Sequence, residues 1–129
     1  MEVALMRTFV AGVALFVLSQ AVAAAHSASM VEQQALLKRW ALSRCLGKVY
    51  ADAAVKRDAE ATASIYLEAG IVPADAYSAV DQLATDYANR HYTGSIDSSF
   101  GTKKCIDLFD GKPLDHLTKR LVNPPRLRR

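Results

Sequence analysis

The first 25 residues most constrain what this chain can fold into, because they have the pattern of a leader that is removed after export. Arg7 is followed by an apolar run over residues 9–18 and then by an alanine-rich stretch over residues 21–25. A positive residue, a short apolar segment and a site of small residues are, in this order, the parts of a secretory signal peptide. We therefore predict cleavage after Ala25, with Ala23 as the alternative site.

A membrane anchor or a buried N-terminal helix is the alternative interpretation of the same segment. The apolar run is shorter than the roughly 20 residues that cross a bilayer as a helix, which favours the signal peptide. Glu2 is unusual in the positively charged start of a leader, so Met6 is a possible start besides Met1. After cleavage we expect no association with the membrane and a location in the periplasm.

The mature chain of about 104 residues is long enough for one domain with one modest core. Its net charge stays at +3, because residues 1–25 carry one cation and one anion. The excess lies mostly in the tail at residues 123–129, where three arginines follow a Pro-Pro pair. A nearly neutral body argues against nucleic acid as the partner. We assign residues 26–122 to the folded domain.

The chain has two cysteines, Cys45 and Cys105, and both remain after cleavage. An even number of cysteines in an oxidising compartment indicates a disulfide, with two separate buried thiols as the alternative. A cross-link that closes a loop of this length is worth about 4 kcal/mol on the chain-entropy model.

Apolar spacing predicts helices throughout the mature chain. The first extends from Met30 to about Lys48. The second is alanine-rich, is capped by Asp52 and ends at Gly70, a residue suited to a left-handed position. We find no sustained alternation of apolar and polar residues, which a strand would show.

The third predicted helix has Pro73 at its first position and Arg90 and His91 near its end. A short helix follows over residues 102–109, and Pro113 opens the last one, which Asn123 and two prolines end. The fold class is therefore all-α: a compact bundle of about five helices with one disulfide.

Tyr92 to Gly101 form the one substantial loop of the body, rich in glycine and hydroxyl residues. No histidine spacing typical of a metal site is present, and no nucleophile elbow or phosphate-binding loop. Asp107 and Asp110 share a helix face, but such a pair is more often solvated. We predict no cofactor, no metal and no enzymatic activity, and expect a binding protein.

Four segments then resemble, in order, the type VI secretion amidase immunity protein family, type 4. They are LKRWALSRCLGKVY at residues 37–50, YLEAG at 66–70, YTGS at 92–95 and KCIDLF at 104–109. The first and last are the most specific, because each contains one of the cysteines. The resemblance covers roughly residues 36–121.

The resemblance implies a periplasmic, homodimeric antitoxin that binds a cognate peptidoglycan amidase and blocks its active-site cleft with a protruding loop. By position, the partner-binding loop comprises Tyr92, Thr93, Gly94, Ser95, Ile96, Asp97, Ser98 and Ser99. Tyr92 and Ile96 are the expected apolar anchors. The alternative functions are a small periplasmic hydrolase or metal-handling protein, and a structural secreted helical protein.

Overall fold

The computed structural model describes residues 29–125, and all of its regular structure is helical. Helix α1 covers residues 29–49, α2 Ala53–Ala69, α3 Ala74–Ala88, α4 Gly101–Phe109 and α5 Lys112–Val122. These five helices confirm the predicted all-α class. The predicted signal peptide and the last four residues of the tail lie outside the described residues.

The chain divides into two compact units, residues 1–32 and 33–129. Of the first unit, only residues 29–32 are described, and they are helical. The fold and the site described below belong to the second unit.

Helix α1 is the central element of the second unit because it is joined to three others by side-chain bonds. Cys45 forms the predicted disulfide with Cys105 of α4, with their Cα atoms 5.6 Å apart. Arg44 donates a 2.8 Å hydrogen bond to Asp81 of α3. Gln34 donates to the backbone carbonyl of Asp115 in α5 at 3.2 Å. These bonds place α3, α4 and α5 around one side of α1.

The core follows the four-residue apolar spacing of the sequence. Helix α3 packs against both α4 and α5, and α4 packs against α5. The side chains most deeply buried among these helices are Leu37, Ala41, Cys45, Val80, Ala84, Cys105, Leu108, Leu114 and Thr118. In α5, the buried face contains a polar residue, Thr118, whose hydroxyl donates a 2.8 Å hydrogen bond to the carbonyl of Leu114. That bond satisfies the hydroxyl inside the core.

Helix α2 contributes little to this core, since only Ala59 and Ala63 are buried. Asp52 caps its N-terminus as predicted, accepting hydrogen bonds from the amides of Ala54 and Val55. The small side chain of Ala59 lies close to Gly47 of α1. Alanine and glycine at this contact allow the two helices to approach closely.

Three predictions about helix ends were wrong. Pro73 is the N-cap of α3 rather than its first residue. Gly70 does end α2, but its φ of −83° is ordinary rather than left-handed. A side chain at Gly70 would collide with the hydroxyl of Tyr77, so space requires this glycine. Helix α3 ends at Ala88, with Asn89 as its C-cap, so Arg90 and His91 lie beyond its last turn. Arg90 instead stacks on the ring of Tyr87, at 3.4 Å from the ring centroid.

None of the helices in the described part of the chain combines the length and the apolarity that a membrane span requires.

Candidate functional site

The loop between α3 and α4 is the most prominent non-helical segment of the second unit and covers residues 90–100. Thr93 to Ser99 are all exposed, and Ile96 keeps 74% of its surface accessible. A large aliphatic side chain this exposed, at a bend among hydroxyl residues, forms no part of the core. The predicted loop is therefore confirmed in position, except that Gly101 is the first residue of α4.

The N-terminal stem of the loop is tied to α4 through Tyr92. The Tyr92 hydroxyl donates a 2.6 Å hydrogen bond to Asp107 Oδ2. Lys103 Nζ contacts both oxygens of the same carboxylate, at 2.8 and 3.0 Å, and lies 5.2 Å from the centre of the Tyr92 ring. The three side chains thus form one cluster, which we call the stem cluster.

The pKa values in the stem cluster shift as this geometry requires. The hydrogen bond from Lys103, followed by that from Tyr92, holds the pKa of Asp107 below its usual value. Hydrogen bonding to Asp107 raises the pKa of Tyr92 and that of Lys103. Each group is therefore held in its ordinary ionisation state at neutral pH, so the cluster is suited to holding the loop rather than to transferring protons.

The C-terminal stem of the loop turns sharply at Phe100. This residue has φ 53° and ψ 34°, and it is the only residue other than glycine with a positive φ in the range 29–125. Its amide donates a 3.0 Å hydrogen bond to Ser98 Oγ. Its ring lies against Gly94, where an added β-carbon would come within 2.6 Å of Phe100 Cζ. The C-terminal end of the loop therefore packs against Gly94 in its first half.

The helices on either side of the loop are themselves held together. Lys104 is buried in α4, and its Nζ donates a 3.3 Å hydrogen bond to the carbonyl of Ala88, the last residue of α3. A cation at this position is favoured by the negative end of the helix dipole. Cys105, the next residue, forms the disulfide to α1. The loop is thus presented from a fixed base.

A cleft of about 430 Å³ lies beside the base of the loop. Its walls come from the end of α1, the C-terminal stem of the loop and the first turns of α4. The lining residues are Val49, Tyr50, Ser98, Ser99, Phe100, Gly101, Thr102, Lys103 and Ile106. The hydroxyls of Tyr50 and Thr102 are hydrogen-bonded to each other across this region.

No group of three or more histidine, cysteine or acidic side chains is placed to hold a metal ion within residues 29–125. Asp110 is the exposed C-cap of α4, whereas Asp107 is engaged in the stem cluster. His91 and His116 are both exposed and lie on different parts of the chain.

The sequence correctly located the loop, but it did not identify what supports it. Tyr92 was expected to be an apolar anchor of the partner-binding loop, whereas the structure gives it the role of a stem residue whose hydroxyl is bonded to Asp107. Phe100, Lys103 and Asp107 went unrecognised as supports, because each is compatible with an ordinary helix or loop position. Only the fold shows that they meet the loop.

Fold and site together indicate a small helical binding protein that presents one supported loop. A family model for Tai4, a type VI secretion system amidase immunity protein, matches residues 35–118 of the chain. This match spans well over half of the sequence and confirms the resemblance carried by the two cysteine motifs. The chain therefore belongs to the Tai4 family of type VI secretion system amidase immunity proteins.

Solved structures agree with this family. The chain is 50% identical to a chain of the Tae4/Tai4 effector–immunity system from Salmonella typhimurium, covering 68% of this chain and 87% of that chain, with a TM-score of 0.66. It is 26% identical to a chain of the Tae4–Tai4 complex from Enterobacter cloacae, covering 67% of this chain and 88% of that one, with a TM-score of 0.60. Among curated proteins, none is significantly similar.

A third structure pairs the Tae4 effector of Salmonella typhimurium with the Tai4 immunity protein of Enterobacter cloacae. Its matching chain is 26% identical over 67% of this chain and 89% of that one, with a TM-score of 0.60.

Proposed function

We propose that this protein neutralises a cognate type VI peptidoglycan amidase by inserting the loop of residues 92–99 into the active-site cleft of the amidase. The observation that carries the proposal is the contrast within the loop. Ile96, at the bend, is 74% exposed, whereas Tyr92 and Phe100, at the two ends, are bonded or packed against the same chain. An exposed tip on a supported base is suited to entering a concave site.

The side chains of the loop fit this role. Ile96 provides an apolar anchor, and the hydroxyls of Thr93 and Ser95 can satisfy polar groups that the complex buries. Anchors buried in fitted pockets commonly account for about 2 kcal/mol or more of binding energy, whereas rim contacts contribute little. Inhibition should therefore depend on a few loop residues.

The solved relatives support an amidase effector as the partner. All three are structures of Tae4 and Tai4 proteins, described as effector–immunity systems or complexes. Membership of an immunity family also supports a role without enzymatic activity of its own. The alternatives of a hydrolase, a metal-handling protein or a structural protein have no such support.

The decisive experiment compares two matched serine variants. Ser95→Arg places a bulky cation on the loop, and Ser78→Arg makes the same change at an exposed position of α3. We expect Ser95→Arg and Ile96→Glu, each as a single variant, to weaken amidase binding by at least about tenfold. The Ser78→Arg variant should bind the amidase with wild-type affinity. If both loop variants still neutralise the amidase at wild-type stoichiometry, the loop is not the inhibitory element.

We further propose that the protein acts in the periplasm after its leader is removed, since a peptidoglycan amidase has its substrate there. Protein isolated from periplasm should then begin at His26 or Ala24. An intact mass that includes Met1 or Met6 would contradict export by this route.

We also propose that the protein is a homodimer. Helix α2 buries only two alanines, and it leaves Val55, Ile65 and Leu67 between 41% and 65% exposed. Ile65 lies on the side of α2 away from Ala59 and Ala63, and a second copy covering that side would remove Ile65 from water. Light scattering should show a dimer at micromolar concentration, and Ile65→Glu should shift it toward monomer. A wild-type monomer would contradict the proposal.

A further inference from the structure

We infer that Phe100 is a positioning residue that holds the loop of residues 92–99 in its binding shape before the amidase arrives. This inference rests on the inhibitory role proposed for the loop. It assigns a function to a residue that stands outside the proposed contact surface.

The backbone of Phe100 is the first observation. Its φ of 53° lies in the left-handed region, which residues with bulky side chains rarely occupy. Such a conformation persists only where surrounding contacts determine it, and it often occurs at functional sites. The position is the N-cap of α4, where the carbonyl of Phe100 accepts the 3.0 Å hydrogen bond of the Lys104 amide.

The ring of Phe100 explains why residue 94 is a glycine. None of the glycines in the described residues has a positive φ, so Gly94 is not required by its backbone conformation. It is required by space, because the ring occupies the place of a β-carbon, with Cζ only 2.6 Å from that position. Phe100 and Gly94 therefore form one packed contact that closes the loop.

A second contact stabilises the same turn. Ser98 Oγ accepts the 3.0 Å hydrogen bond from the amide of Phe100, so the segment just before the ring is held as well. On the opposite stem, Tyr92 is bonded to Asp107. Between these points, the segment from Thr93 to Ser99 is exposed.

The consequence concerns the free energy of association. A loop that is ordered only on binding loses conformational freedom at that moment, which weakens affinity. A loop that Phe100 already holds closed avoids this loss. Phe100 thus increases affinity without being required to touch the amidase.

The test is a double-mutant cycle on Phe100→Ala and Gly94→Ala, with amidase affinity as the first measurement. Removing the ring frees the loop, and adding a methyl group at residue 94 displaces the ring. We expect each variant to weaken binding by about tenfold. Both substitutions disrupt the same contact. The double variant should therefore bind the amidase no more weakly than the more affected single variant does. A multiplicative loss would mean that Phe100 and Gly94 affect binding independently of each other, which would overturn the inference.

Backbone order parameters of residues 93–99 in the free protein, from NMR relaxation, are the second measurement. Phe100→Ala should lower the order parameters of the loop while the melting temperature and the order parameters of α1 and α3 stay unchanged. Phe100→Gly, which accepts the left-handed backbone but lacks the ring, should behave like Phe100→Ala. Unchanged loop order parameters in both variants would overturn the inference.

Ile96→Glu separates this inference from the function on which it rests. If Ile96→Glu abolishes neutralisation and Phe100→Ala binds like wild type, the positioning role is wrong while the inhibitory loop stands. If Ile96→Glu has no effect, the proposed function is wrong. In that case the order parameters of the loop in the free protein alone decide whether Phe100 holds the loop.

Discussion

The hydroxyl of Tyr92 and the carboxylate of Asp107 are 2.6 Å apart, although the two residues are separated by 15 positions in the chain. This bond fixes where the loop leaves the body. Lys103 completes the arrangement by neutralising the same carboxylate.

Tyr92→Phe should weaken amidase binding roughly threefold to tenfold, because it removes the hydrogen bond and keeps the ring. The melting temperature should change little, since the bond lies near the surface. Tyr66→Phe in α2 is the matched control, as Tyr66 is also half-buried. Identical affinities for Tyr92→Phe and wild type, measured by calorimetry, would show that the stem cluster does not support the loop.

Cys45→Ser should lower the free energy of unfolding by about 2–5 kcal/mol, because the disulfide closes a long stretch of chain and both cysteines are fully buried. Urea unfolding measures this directly. The variant carrying serine at both cysteine positions avoids a leftover thiol and should be similarly destabilised. Reductant should destabilise the wild type but not the double variant; a wild type insensitive to reductant would contradict the prediction.

Asp81 should make stability depend on acid pH. Partial burial alone would raise its pKa, but the hydrogen bonds and charges of Arg44 and Lys48 together lower it. A carboxyl with a lowered folded-state pKa stabilises the fold above the unfolded value of 3.8, and this contribution is lost as the pH falls through the lowered pKa.

Asp81→Asn should therefore lower the free energy of unfolding by about 1 kcal/mol at pH 7. The value is small because Asp81 and its cationic partners are partly exposed. The difference in the free energy of unfolding between this variant and wild type should shrink as the pH falls from about 5 to about 2. Asp86→Asn, on the exposed side of the same helix, is the control and should show little change at either pH. A constant difference across this range would indicate that the charge of Asp81 does not contribute.

Gly70→Ala should destabilise the protein by about 1–3 kcal/mol, because the added methyl group collides with the hydroxyl of Tyr77. Tyr77 cannot easily move, since its ring is buried and packs edge-on against Trp40 with centroids 5.1 Å apart. When Tyr77 is also replaced by phenylalanine, the hydroxyl is absent, so Gly70→Ala should destabilise the Tyr77→Phe variant much less than it destabilises the wild type.

Gly47→Ala is the matched control for Gly70→Ala. A β-carbon at Gly47 would lie 3.7 Å from Ala59, an ordinary contact, and alanine is favoured over glycine within a helix. Thermal melts should show this variant as stable as wild type or more so. Equal destabilisation of both variants would contradict the explanation by space.

Much of the fold could be predicted from local patterns. Leu37, Ala41 and Cys45 recur every four residues and are buried together, because this spacing places side chains on one face of a helix. Asp52 caps α2 because its short carboxylate reaches the free amides of the first turn. Such features depend on neighbours a few residues away, so they can be derived without the tertiary structure.

The sequence by itself determined the helices, the disulfide partners and the position of the loop, since periodicity, cysteine number and turn residues are local or countable properties. Only the tertiary structure decided what holds the loop. Gly94 was expected among the partner-binding residues, yet the space it leaves is filled by Phe100 of the same chain. Tyr92 and Asp107 meet because α4 packs on α3, and contacts between residues distant in sequence are set by that packing.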